Sequence, residues 1–414
     1  MELMVIVAII IGLYMAWNIG ANDVANSMAD AVGSKALTIF WAVVLAGICE
    51  FSGAVLVGAH VTNTIRKGII EPHVFEQNPI ILAQGMICAM LAGAIWLNIA
   101  SYLGMPVSTT HSIVGAVVGF GILQAGLGNI HWGKIGQIVA SWFISPVTGG
   151  IMAFIIFKLI SHHILSVDNP AVAAKKGVPV CVFFTFAILI LSIIYKGLEN
   201  IHLDLGAAEA VTISILGGFV ASGISMLLIK KNNNYNDRLS FEQQLLQVER
   251  VFSVLVIISS CTVAFAHGAN DVANSVGPLA AVIEIFKYNT VPEKVSVEMW
   301  ILVVGGVGIV LGLATFGYRV MYVVGTKVTE ITPSRGVAAD MSTMATVLAC
   351  SKMGLPISTT HTLVGAIIGV GLARGITAIN RKIVGSIFAS WIVTIPVAAI
   401  LTVVLYLLGK WLFW

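Results

Sequence analysis

Apolar residues run along this chain in long blocks, and the polar positions fall between the blocks or in a few short clusters within them. Each block approaches the roughly 20 apolar residues that one helical bilayer crossing needs. Five such segments are expected at about 4–29, 36–60, 79–100, 107–124 and 137–158. Two follow at about 179–196 and 211–229, then five more at about 250–283, 298–324, 337–352, 357–374 and 383–409. The pattern predicts an all-α polytopic membrane protein of about 12 transmembrane segments with broken or re-entrant helices. The blocks at 107–124 and 357–374 follow prolines and are short enough to be re-entrant half-helices.

The polar clusters repeat. Gly20–Ser27 reads GANDVANS, and the same eight letters return at Gly268–Ser275, 248 residues on. Pro106–Ala116 reads PVSTTHSIVGA and returns as PISTTHTLVGA at Pro356–Ala366, 250 residues on. A Ser-Trp pair recurs at Ser141-Trp142 and Ser390-Trp391. Three matches in one order at nearly one offset mark an internal duplication. The expected organisation is a transmembrane repeat over 1–158, a linking pair with a short cytoplasmic loop over 159–249, and a second repeat over 250–414. If all seven segments before the second repeat cross, that repeat is inverted relative to the first, as in many secondary transporters.

Composition agrees with a lipid-embedded chain. Of 414 residues 58% are apolar and 10% charged, against about 25% charged in soluble domains. A net charge of +3 is too small and too scattered for a nucleic-acid surface. Cys49, Cys88, Cys181, Cys261 and Cys350 lie singly in apolar blocks, so neither disulfide, resident metal nor cofactor is expected. The first run lacks the basic residues of a cleaved signal and is expected to be a working membrane segment. Lys175 and Lys176, and then Lys230, Lys231, Arg238 and Arg250, flank a stretch holding Glu199, Asp204 and Glu209 without Lys or Arg. Positive loops stay cytoplasmic, which places the N-terminus outside a multi-pass cell-membrane protein. The polar stretch 230–250 is expected to end in a short surface helix.

The repeated clusters carry the chemistry. GANDVANS puts Asn22, Asp23, Asn26 and Ser27 at membrane depth, where an ionised acid costs a few kcal/mol or more without a partner. Gly20 beside Asn22-Asp23 predicts an unwound turn with bare carbonyls. Carboxylate, amide and carbonyl oxygens suit a hard cation such as Na⁺, so Asp23, Asn26, Asp271 and Asn274 are expected sodium ligands. The alternative is an inert polar staple between helices. Gly104 and Gly354 precede prolines that lead into Ser108-Thr109-Thr110 and Ser358-Thr359-Thr360, which predicts two fresh helix N-termini. Their free N–H groups and hydroxyls would hold an oxyanion, with Asn22 and Asn270 beside them. His111 and His361 can orient those turns or respond to pH. Glu50 and Asp340 are further acids at membrane depth, suited to coupling or gating.

GANDVANS at 20–27 and 268–275, PVSTTH at 106–111 and PISTTH at 356–361 resemble the inorganic phosphate transporter family of sodium–phosphate symporters. TIRKGI at 64–69 and ITPSRG at 331–336 extend the likeness. The resemblance implies twelve spans, inverted repeats and phosphate uptake driven by Na⁺ or H⁺, with Asp23, Asp271, Glu50 and Asp340 as its transport acids. The partners expected are phosphate, sodium ions and the lipid bilayer; a homo-oligomer is left open. The reading is a secondary active symporter working by alternating access, and not an enzyme. Proton coupling on the same scaffold and an anion channel are the alternatives. An intramembrane hydrolase using Ser108, His111 and Asp23 is disfavoured, since duplicating a nucleophile region serves no catalytic purpose.

Overall fold

The computed structural model describes residues 2–58, 70–197, 206–231, 239–292, 295, 297–352 and 357–413. Its principal helices are α1 (Glu2–Ile19), α2 (Ile39–Val57), α3 (Pro79–Tyr102), α4 (Thr109–Ala125) and α5 (Trp132–Ile160). The linking pair is α6 (Pro170–Gly197) and α7 (Ala207–Lys231). Then come α8 (Phe241–Asp271), α9 (Ala273–Tyr288), α10 (Met299–Phe316), α11 (Pro333–Lys352), α12 (Thr359–Leu372) and α13 (Arg381–Leu412). Each of the twelve expected apolar segments is helical over most of its described length. Nine helical stretches among the described residues are long and apolar enough to cross a membrane. α4 and α12 are shorter apolar helices, as the half-helix reading expects.

Local chemistry sets the helix ends. Ser108 and Ser358 accept hydrogen bonds from the backbone N–H of His111 and His361, at 3.3 and 3.2 Å, and so cap α4 and α12. Gly104 holds φ +68, which a residue with a Cβ rarely adopts, and this turns the chain out of α3. Pro79 and Pro333 occupy first-turn positions, where a missing N–H is harmless. Two expectations change. The 230–250 stretch does not end in a separate surface helix: a Ser240–Gln243 capping box starts α8, which runs unbroken into the bundle. Nor is GANDVANS unwound. Gly20–Val24 forms a wide π turn, and its second copy passes from α8 to α9 at Val272. A local insertion re-aims side chains without giving up backbone hydrogen bonds, which a bilayer would leave unpaid. Gly354, Pro356, TIRKGI at 64–69, Glu199, Asp204 and Arg238 lie outside the described residues.

The two halves interlock. α4 packs on α13 and α12 on α5; α1 packs on α10 and α8 on α2. Equivalent glycines make these seams. A methyl at Gly115 or Gly119 would overlap the carbonyls of Ile395 and Ala399, and one at Gly365 or Gly369 those of Pro146 and Gly150. Gly20 meets Ile309 and Gly312 meets Trp17, while Gly268 meets Glu50 and Gly53 meets Phe265. Lipid supplies no hydrophobic drive between helices, so such close backbone contact carries the association. Large apolar side chains such as Phe143, Phe219 and Leu227 face outward, as a lipid-facing surface requires.

Candidate functional site

The interlocked seams bring both Ser-Thr-Thr turns to one buried place beside both acidic motifs. Asp23 reaches the N-terminus of α4, where Oδ2 accepts the Thr109 N–H at 3.1 Å. Its Oδ1 accepts the Thr360 hydroxyl at the start of α12, from the other half. Asn26 donates to Thr360 Oγ1 at 3.4 Å and to its own helix at the Asn22 carbonyl. The second copy mirrors this crossing: Asn274 donates to Thr110 Oγ1 at 3.2 Å, and Thr359 donates to Asp271 Oδ2 at 3.1 Å. All of these side chains except Thr110 are buried.

The asparagines differ between copies. The Asn22 amide donates to Ser101 Oγ and the Met105 carbonyl, both at 3.0 Å, and accepts the Val107 N–H at 2.9 Å. It holds the strand of chain entering α4. Asn270 is half-buried and donates to the neighbouring Asp271 at 3.2 Å. Ser108 and Ser358 turn their oxygens back onto their own helices as caps. His111 and His361 meet edge-on behind the two turns, ring centroids 4.7 Å apart. Trp142 and Trp391 flank them at 4.8 and 3.8 Å, and the Trp391 indole donates to the Pro106 carbonyl at 2.9 Å. The tryptophans of the recurring Ser-Trp pairs thus brace the turns, while Ser141 and Ser390 donate to carbonyls of their own helices.

Glu50 joins the second motif through His267, four residues before Asp271 on α8. His267 Nδ1 lies 3.1 Å from both Glu50 oxygens, and its Nε2 lies 2.6 Å from Asp271 Oδ2. Ile19 stands at the matching place in the first copy, so no repeat pattern singled out the histidine. One atom each from Asp23, His267 and Asp271 lies within 4.8 Å of the others, close enough to surround one cation. Two of these three donors are carboxylate oxygens and none is a thiolate, a set without the sulfur that a soft metal prefers. Asp340 is not part of this place. It accepts the hydroxyls of Ser259 at 2.5 Å and Ser260 at 2.9 Å, eleven or twelve residues before Asp271 on α8. That separation is about 17 Å along a helix.

Comparison with known proteins adds the family. The profile of the phosphate transporter family matches residues 19–402. A Pyrococcus abyssi protein described as a candidate phosphate permease is 45% identical over 407 residues, covering 98% of each chain. Inorganic phosphate transporter 2-1 of Arabidopsis thaliana, a chloroplast protein, is 42% identical over 96% of this chain and 70% of its own. A solved structure titled the sodium-dependent phosphate transporter superposes with a TM-score of 0.89 at 40% identity, covering 99% of this chain and 100% of that one.

Proposed function

The chain belongs to the phosphate transporter family, and from that premise we propose that it imports inorganic phosphate by symport with sodium ions. One arrangement carries the reading: the two Ser-Thr-Thr turns meet the two acidic motifs crosswise in a single buried place. The hydroxyls and N–H groups of Ser108, Thr109, Thr110, Ser358, Thr359 and Thr360 receive the phosphate, with Asn22 and Asn270 alongside. Asp23, Asn26, Asp271 and Asn274 hold the sodium ions. Glu50, His111, His361 and Asp340 serve coupling and gating. Residues 1–158 and 250–414 act as inverted repeats that move against each other about this place, with 159–249 linking them.

An order of binding follows from the same proposal. Asp23 now occupies the Thr109 N–H and the Thr360 hydroxyl, which are the donors an oxyanion would use. A carboxylate standing there repels phosphate. Sodium drawn to Asp23 neutralises the acid and competes for its oxygens, which frees the donors. Sodium therefore binds first. Two Na⁺ entering with one H₂PO₄⁻ carry one net charge, which gains about 2.3 kcal/mol per 100 mV of membrane potential.

The test is uptake of radiolabelled phosphate by proteoliposomes under an inward Na⁺ gradient, against a choline control. Saturable uptake with counterflow, lost in choline, is expected, as is Na⁺ binding without phosphate but no phosphate binding without Na⁺. Undiminished uptake in choline would end sodium coupling and transfer the role to protons.

A further inference from the structure

Asp30 and Asp340 form a second acidic place that the phosphate site does not use. Asp30 lies seven residues past Asp23, on the short helix Ala29–Gly33, which packs against α11. Gly336, one turn before Asp340 on α11, permits the approach: a methyl there would come within 3.0 Å of the Asp30 Cβ. Both acids are fully buried, and their carboxyls face each other. Ser259 and Ser260 of α8 both donate to Asp340 Oδ2. The Asp30 oxygens and Asp340 Oδ1 have no donor from a third described residue; the two carboxyls lie within hydrogen-bond reach of each other, where only a shared proton could bond them. Cys261 also lies near Asp340, and a thiol supplies no positive charge.

Two facing carboxylates in an apolar bundle repel each other and pay a desolvation cost. One positive charge between them removes both penalties. We infer that Asp30, Asp340, Ser259 and Ser260 form a cation site for one hard monovalent ion, separate from the phosphate-binding place. Three carboxylate oxygens with no donor from a third residue, facing one another across the pair with two hydroxyl oxygens behind, are ligands for Na⁺ or for a single shared proton. Each takes the same seat with the same charge. Asp30 thereby becomes a ligand, and Asp340 acts here and not beside Asp271.

The experiment needs no phosphate, so its outcome is independent of the transport reading. ²²Na⁺ binding to the purified full chain is counted for wild type, Asp30→Asn, Asp340→Asn and the double Ser259→Ala/Ser260→Ala variant. Infrared spectra of the same samples seek the carbonyl band of a protonated buried carboxyl. If sodium is the occupant, each Asn variant binds one Na⁺ fewer than wild type. The serine variant, which keeps both charges but loses two charge-assisted bonds, then binds its last Na⁺ at least tenfold more weakly. If a proton is the occupant, Na⁺ counts are equal, and the band present in wild type disappears in both Asn variants. Equal counts with an unchanged band in all four proteins overturn the site. The serine variant guards against an Asn variant that fails to fold.

Discussion

The two GANDVANS copies have the same eight letters and different surroundings. Asp23 sits on a helix N-terminus, bonded to the Thr109 N–H and the Thr360 hydroxyl. Asp271 instead takes the Thr359 hydroxyl and the His267 imidazole, which hands on to Glu50. At the positions matching His267 and Glu50 stand Ile19 and Ile309, judged by the paired glycine contacts. The duplication thus built a symmetric frame, and a histidine and a glutamate where the other copy has isoleucines made the surroundings of one acidic motif unlike those of the other. If the motifs hold the two sodium ions as proposed, seats that differ need not fill together. On that reading the first would release oxyanion donors when it fills, while the second is tied to an acid on α2.

The largest effect expected is at the aspartates. Asp23→Asn and Asp271→Asn each remove a charge from a buried bonded group, a loss of about 3–5 kcal/mol. Phosphate uptake at saturating Na⁺ should fall at least 100-fold in both. The comparison sharpens in binding. Asp23→Asn should leave some phosphate binding without sodium, because no carboxylate guards the Thr109 N–H, whereas Asp271→Asn should leave none. Equal behaviour of the two variants in choline would remove the sodium-first order.

Next is the histidine. His267→Ile copies the first motif's neighbour into the second and leaves Glu50 buried without it, so uptake should fall about tenfold. Glu50→Gln alone should do similar harm. Because the two side chains share one contact, the double variant should lose less than the sum, with a coupling of about 1–3 kcal/mol. Strict additivity in the cycle would mean that the imidazole does not link the two acids.

The frame was legible in the sequence, and its finish was not. Repeated octapeptides and prolines announced a duplicated, broken-helix membrane protein, because they are local signals that survive in one dimension. Asp23 and Thr109 could be suspected as neighbours on chemical grounds alone. The Glu50–His267–Asp271 link joins residues more than 200 positions apart without a repeat to flag it. Asp30 was missed for a related reason: it closes the polar run after GANDVANS, and only the packing of Ala29–Gly33 on α11 shows that it faces another acid. The expected unwound turn became a π turn, since sequence marks where a helix is disturbed but not how its backbone bonds are restored.

A smaller effect tests the symmetric frame itself. Gly119 and Gly369 press equivalent points of α4 and α12 onto α13 and α5. Gly119→Ala and Gly369→Ala should each lower thermal stability by about 1–3 kcal/mol, the usual cost of overpacking. Gly133→Ala, with nothing within 4 Å, should be neutral. Thermal unfolding in detergent reads all three. A large difference between Gly119 and Gly369 would break the pseudo-symmetry of the seams.

The smallest effect separates support from contact. Ser108 and Ser358 cap α4 and α12 with nearly equal geometry, 3.3 and 3.2 Å. Losing a cap costs about 1 kcal/mol, so Ser108→Ala and Ser358→Ala should lower stability alike. A cap accepts through its oxygen, which leaves the hydroxyl proton free to donate to phosphate. If both serines do so, both variants should also raise the phosphate KM, and Ser→Gly, a tolerated cap, should restore stability without restoring KM. Recovery of KM with stability would confine the serines to holding their helices, and would leave the oxyanion to Thr109, Thr110, Thr359 and Thr360.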